Sequence, residues 1–257
     1  MEVKDQLQRK ISLPKPPKRI ISLVPSQTEL LVDMGLEENI LGITKFCVHP
    51  KYLRKNKNIV GGTKQVKLEK IKALDPDIIL CNKEENTQEM VAELEEIAPV
   101  HVSDIVKIED AFDLMHQYGE IFQKEALVST MVNSIRDKIA VLRKKLKDKQ
   151  VKKVAYFIWK KPLMVAGKDT FINELLKLNK FENVFTESRY PETTLEELKD
   201  KNPDLLLLSS EPFPFEEKHK KYFSTLNAEI KLVDGEYFSW YGSRLVEAID
   251  YFKTLRD

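Results

Sequence analysis

Short runs of aliphatic and β-branched residues recur along this chain, separated by stretches whose apolar positions fall three and four apart. Residues 19–24 (Arg19-Ile20-Ile21-Ser22-Leu23-Val24) predict a buried strand ended by Pro25-Ser26. Thr28 is placed to cap a helix through Leu30, Leu31 and Met34, with Gly35 as its stop. Residues 40–44 read as a second strand, Gly61-Gly62-Thr63 as a turn, and residues 68–74 as a short helix. A strand ending near Cys81, a helix through Ile97 and a short strand at 100–102 follow. From Ile108 to Leu146 the spacing is helical, and Gly119 with Gln123-Lys124-Glu125 predicts two helices, the second long. A strand over 153–158 then starts the pattern again.

That restart is a repeat. Residues 68–80 carry Leu68-Glu69, Pro76-Asp77 and an apolar run; residues 195–207 carry Leu195-Glu196, Pro203-Asp204 and an apolar run. Two similar halves of strand–helix alternation predict an α/β fold: two Rossmann-like lobes, mainly parallel sheets, a long connecting helix and a ligand cleft between the lobes. The expected divisions are an N-terminal lobe over 18–124, a connecting helix over 125–149 and a C-terminal lobe over 150–257.

Composition narrows the function. A net charge of +1 from 42 basic and 41 acidic residues, interleaved, gives no basic stripe for nucleic acid. The run Arg143-Lys144-Lys145-Leu146-Lys147 reads as a solvated helix end. No apolar run is long enough to span a membrane. The first 18 residues lack the apolar stretch of a secretory signal. A cytoplasmic location follows if Met1 is the native start, and an exported one if a leader was removed. Cys47 and Cys81 are the only cysteines, open to three readings: core thiols, one bridge, or metal ligands. Cys47-Val48-His49 with a carboxylate such as Glu84 or Asp104 would suit zinc, but the spacing is no complete site, so no metal centre is expected. Phosphate-loop, dinucleotide, nucleophile-elbow and zinc-protease motifs are missing, and an enzyme is not expected. A cytoplasmic metal-binding protein or enzyme on the same fold is the rival reading.

Residues 19–29, Gly61 to Thr63 with Leu68-Glu69, Pro76-Asp77-Ile78-Ile79, Gly167-Lys168, Glu182-Asn183-Val184-Phe185 and Pro203-Asp204 together carry a resemblance. Over residues 18–256 the chain resembles the helical-backbone substrate-binding proteins of ABC importers, with the vitamin B12-binding and ferric siderophore-binding proteins nearest. The resemblance implies two lobes on a rigid helix and a monomer with no intrinsic cofactor. It also implies a small-molecule metal chelate as ligand: cobalamin or another corrinoid first, a ferric siderophore or haem second. ABC importer membrane subunits are the implied partner, docked through one acidic residue per lobe at the positions of Glu69 and Glu196. The vitamin B12 proteins carry an aromatic contact where this chain has Thr63, while Tyr190 keeps one in the second lobe.

Loops after the predicted strands are where a ligand is expected. They supply Ser26, Lys45, Phe46, Thr63 and Glu84 in the first half, then Trp159, Lys160, Arg189, Tyr190, Phe213, Phe238, Trp240 and Tyr241. Flat aromatic faces suit a corrin, porphyrin or catecholate, and Lys160, Lys161 and Arg189 suit an anionic group or a stacked ring.

Overall fold

The structure is a computed structural model and describes residues 1–256. It divides into two compact units. Unit 1 comprises residues 1–105, 109–135 and 240–245; unit 2 comprises 106–108, 136–239 and 246–257.

Unit 1 begins with a hairpin, β1 (Glu2–Lys4) and β2 (Lys10–Ser12), paired antiparallel. The elements β3 (Ile20–Ser22), α1 (Pro25–Asp33), β4 (Ile40–Thr44), α2 (Leu53–Asn56), β5 (Asn58–Gly61), α3 (Leu68–Ala73), β6 (Ile78–Asn82), α4 (Gln88–Glu95) and β7 (Val100–Ser103) follow. They build an all-parallel sheet in the order β5-β4-β3-β6-β7. Strands β3, β6 and β7 are buried throughout and β4 nearly so, as the interior of a parallel sheet requires, with Ile20, Ile21, Ile43, Ile78, Ile79 and Leu80 at 1% exposure or less; the edge strand β5 is partly exposed. Helices α5 (Ile108–Phe122) and α6 (Glu125–Leu146) come next. The break falls at Gln123, whose φ of +56° ends α5, while Gly119 lies inside the helix, against the expected interruption there.

Unit 2 holds β8 (Lys152–Trp159), β9 (Met164–Val165), α7 (Phe171–Leu178), β10 (Phe181–Asn183), α8 (Leu195–Lys201), β11 (Leu205–Ser209), β12 (Glu229–Val233), α9 (Glu236–Ser239) and most of α10 (Leu245–Leu255). Its parallel order is β10-β8-β11-β12, and β9 adds antiparallel to β8. The two-unit α/β fold with parallel sheets is therefore the observed one. Among the described residues no helix is long and apolar enough to cross a membrane.

The sequence repeat has one structural meaning in both units. Helix α3 ends on left-handed Asp75 (φ +44°) and α8 on left-handed Asn202 (φ +45°), each followed by the proline. Asp77 Oδ2 accepts from Lys18 N at 2.8 Å and Arg19 N at 3.0 Å, while Asp77 N donates to Arg19 O at 2.8 Å. Asp204 Oδ2 accepts from Lys153 N at 2.7 Å, and Asp204 N donates to Lys153 O at 2.9 Å. Each aspartate thus clasps the entry of the strand beside its own and fixes the pairings Ile20 with Ile78 and Val154 with Leu205.

One local expectation is corrected. Thr28 is not a helix cap. Helix α1 starts at Pro25, whose missing N–H is harmless at that position, and Thr28 is one turn in, its Oγ1 donating to Val24 O at 2.9 Å. The N-terminal residues are packed as well. Val3, Ile11 and Leu13 are buried, and Asp5 is fully buried. The Asp5 carboxylate accepts from the backbone of Leu7, Arg9 and Val102 and pairs with Arg9.

Candidate functional site

In unit 1 the carboxyl ends of the strands carry a buried polar network. Tyr118 OH donates to Gln27 Oε1 at 2.7 Å, and Gln27 Nε2 donates to Ser103 Oγ at 2.7 Å and Tyr241 OH at 3.0 Å. Asn82 Nδ2 donates to Ser103 Oγ at 2.9 Å, and Asn82 Oδ1 accepts from the backbone N–H of Glu84 and Glu85. Asn86 Oδ1 accepts from Asn82 N, and its amide donates to Thr63 O at 2.8 Å. Every member satisfies another, so the network fixes the turns at 63 and 84–85. From the sequence, Asn86 and Ser103 lie on loops where a ligand is expected, whereas Gln27, Asn82 and Tyr118 are not among the expected site residues. Their signal is a polar residue closing an otherwise apolar strand, as Asn82 and Ser103 do.

Beside these turns lies an open groove of about 880 Å³. Predicted residues Lys45, Phe46 and Thr63 line it together. Phe46 is 48% exposed, with Lys45 Nζ 5.0 Å from its ring centroid. The far wall is the turn after β5, closed by Gly62 N donating to Gln65 O at 2.8 Å. Gly61 sits at φ +139°, where a Cβ would lie 2.5 Å from Gln65 O, so only glycine closes this turn. Predicted Glu84 is half-buried, and its carbonyl accepts from Lys64 Nζ at 2.5 Å.

Ser26, Trp240 and Tyr241 are elsewhere in unit 1 and buried. Tyr241, expected at a ligand loop, serves the Gln27 network, and burial pushes its phenol pKa up. Trp240 packs edge-on to His49, with centroids 5.4 Å apart, and lies under the Arg244 guanidinium at 5.4 Å. Arg244 pairs with Glu29 through Nε to Oε2 at 2.8 Å and a second, shorter contact from Nη2 to Oε1. Burial holds the Glu29 carboxyl above its ordinary value even with Arg244 beside it.

Cys47 and Cys81 are buried and unbridged. The Cys47 thiol is hydrogen-bonded at 3.1 Å to Thr28 Oγ1 and at 3.3 Å to Thr44 Oγ1, and burial raises its pKa. A thiol held protonated in this way is the opposite of the thiolate a metal takes. Among the described residues no group of three or more His, Cys, Asp or Glu is placed to hold a metal ion.

In unit 2, Trp159 ends β8 at 38% exposure, its Nε1 donating to Lys161 O at 2.9 Å. It meets Phe213 edge-on at 5.8 Å, and Phe213 packs on Phe215 and His219. Lys160 follows directly. Arg189 and Tyr190, both half-buried, share a second loop, with the guanidinium 5.8 Å from the tyrosine ring. Gly167 holds this loop, since a Cβ there would stand 2.1 Å from Glu187 O. Phe238 corrects the expectation made for it. It is fully buried between Tyr156 at 5.0 Å and Phe252 at 4.9 Å, and presents no surface to a ligand.

Glu69 and Glu196 lie exposed in the first turns of α3 and α8. Their neighbours are engaged: Lys70 Nζ donates to Ile59 O, and Glu197 is held by Thr193 and Lys201.

Two α/β units with buried parallel strands and equipped carboxyl-end loops define a binding-protein architecture, and sequence comparison agrees. The profile of the family described as periplasmic binding protein matches residues 20–229, and the chain belongs to that family. An uncharacterized ABC transporter substrate-binding lipoprotein of Bacillus subtilis is 24% identical over 96% of this chain and 82% of its own. A vitamin B12-binding protein of Yersinia pestis is 27% identical over 75% of this chain and 69% of its own. The crystal structure of the periplasmic vitamin B12-binding protein of Vibrio cholerae superposes with a TM-score of 0.82 at 20% identity, covering 94% of this chain and 97% of the other.

Proposed function

We propose that this protein is the substrate-binding component of an ABC importer and captures a metal chelate, a corrinoid first, with a ferric siderophore or haem as the second reading. The observation that carries this is the chemistry left exposed at the carboxyl ends of buried parallel strands. Unit 1 offers Phe46 with Lys45 and Thr63; unit 2 offers Trp159 on Phe213 with Lys160, and Arg189 with Tyr190. Exposed aromatic faces bury large area at little entropic cost, and the cations orient the ligand's polar edge. Similarity to a vitamin B12-binding protein supports the corrinoid. The departure at Thr63 keeps the second reading in view.

Docking on the importer is assigned to Glu69 and Glu196, one exposed carboxylate per unit at matching points of the repeat. Carboxylates in this setting meet arginines bidentately and set orientation.

The test is titration of the purified protein with cyanocobalamin, haemin and a set of ferric siderophores, read by tryptophan fluorescence and calorimetry. One-to-one binding of one probe at micromolar Kd or tighter is the expected result; no binding to any of them refutes the carrier reading. Glu69→Arg combined with Glu196→Arg should abolish uptake in cells while leaving Kd unchanged. A weakened Kd would overturn that division of roles.

A further inference from the structure

At the amino end of its sheet, unit 2 holds an open concavity of about 420 Å³. It runs along the first residues of β8, β10, β11 and β12 (Lys152, Phe181, Leu205 and Glu229), at the end of the sheet opposite the carboxyl-end loops. Four cations line it, Lys149, Lys152, Lys231 and Arg256, against one acid, Glu229. Glu229 takes two of them at once, Lys152 Nζ at 3.0 Å and Lys231 Nζ at 3.2 Å. These bonds draw the Glu229 pKa down, Lys152 foremost, and hold the two ammonium groups beside each other. Arg256 lies over the Phe181 ring, 4.6 Å from its centroid, and its Nη2 donates to Gln150 O at 2.6 Å. Its Nε and Nη1 are buried and meet no acceptor, and burial lowers the pKa of the guanidinium. Buried cationic donors without an acceptor cost free energy. The other half of the repeat supplies the contrast. At the amino end of the unit 1 sheet Arg19 donates from Nε to Asp75 O and from Nη2 to Leu74 O, both at 2.6 Å. There the arginine closes a helix end; in unit 2 it is left with donors to satisfy.

We propose that this concavity is a binding site for an organic phosphate monoester, its phosphoryl oxygens facing Arg256, Lys231 and Lys149 and its organic part lying against Phe181 and Leu205. The excess of cations matches a group that carries more than one negative charge, where a carboxylate carries one. A guanidinium beside flexible ammonium groups suits the spread oxygens of a phosphoryl group. The apolar side chains give the ester portion a surface that inorganic phosphate would leave uncovered. A soluble phosphate ester and the head group of a phosphomonoester lipid both present this chemistry. Because the site is at the opposite end of the sheet from the loops assigned to the chelate, it stands or falls separately from the carrier reading.

The experiment has two arms. In the first, glycerol 3-phosphate is titrated by calorimetry into the wild type, into Arg256→Gln/Lys231→Gln and into Lys55→Gln/Lys72→Gln. The last removes the same charge from exposed positions of unit 1. In the second, the same proteins are floated with phosphatidylcholine vesicles containing phosphatidic acid, or phosphatidylglycerol in its place. Saturable one-to-one binding of glycerol 3-phosphate, or flotation that requires phosphatidic acid, is the expected result, and the responding arm identifies a soluble ester or a lipid as the source. Affinity should weaken roughly tenfold in Arg256→Gln/Lys231→Gln, as for two partly exposed charge contacts, and stay at the wild-type value in Lys55→Gln/Lys72→Gln. Lys149→Gln, at an exposed position where folding is not at stake, should show a smaller loss in the same direction. Response in neither arm overturns the proposal. So does flotation as strong with phosphatidylglycerol when the soluble ester does not bind, or an equal loss in the two double variants.

Discussion

Arg244→Met tests whether the pair in unit 1 is an electrostatic lock or a packing contact. Arg244 is 7% exposed and Glu29 15%, so the substitution strands a carboxylate with little access to water. Removing one partner of a fully buried pair costs about 3–5 kcal/mol. Glu29 retains some solvent contact, so the expected loss at pH 7 is about 2–3 kcal/mol. Methionine keeps much of the apolar stem that covers Trp240, which separates charge from packing.

The sign of the pH dependence makes the argument sharp. Burial already raises the folded-state pKa of Glu29, and loss of Arg244 raises it further. In the unfolded chain it titrates near the ordinary carboxylate value of about 4.3. Between these two values the folded variant binds a proton that the unfolded chain does not. Its stability therefore falls as pH rises through the window and recovers as pH drops from 7 toward 5. The measurement is urea unfolding followed by Trp240 emission in a Trp159→Phe background, so that one fluorophore reports on unit 1. Adding Glu29→Gln to Arg244→Met should recover most of the loss. A cost that is the same at pH 5 and pH 7, and is untouched by Glu29→Gln, would refute the electrostatic account.

Phe238→Ala should cost about 3–5 kcal/mol of stability through the cavity left between Tyr156 and Phe252. Ligand Kd, measured well below the lowered melting temperature, should stay at the wild-type value; a large loss of affinity would place Phe238 back among the ligand contacts. His101 is fully buried and its pKa is lowered by that burial, so the unfolded chain takes up its proton first. Stability should fall as pH drops below about 6.5. His101→Gln should flatten that limb in urea titrations at pH 5 to 7, and an unchanged slope would show that other groups set it.

The repeat was legible in the sequence because its physics is local: a helix, a left-handed residue, a proline and an aspartate occupy consecutive positions. The buried polar network was not legible. Gln27 meets Ser103, Tyr118 and Tyr241 across 76 to 214 residues of chain, and no periodicity records such a meeting. The hairpin of β1 and β2 escaped for a related reason. Three buried apolar residues are too few to show a pattern, and what anchors it is a buried charge, Asp5. Aromatics were the hardest to sort. Phe213 and Phe238 both follow strands of unit 2, yet one stays half-buried beside Trp159 and the other fills the core. The difference lies in α10, whose Phe252 covers Phe238, and nothing near residue 238 announces it.

The division of labour along the strands follows from the two aspartate clasps. Asp77 and Asp204 satisfy the backbone at the amino ends of their sheets, so register is set there and not by the loops at the opposite ends. The carboxyl-end loops are then released from a structural duty, and the two units spend that freedom differently. Unit 1 stiffens its turns with the Asn82–Asn86 network and leaves lysines and one phenylalanine in solvent. Unit 2 builds an aromatic ledge from Trp159 and Phe213. A repeat that keeps its clasps while its loops diverge in this way lets one frame carry a different set of side chains at each group of carboxyl-end loops.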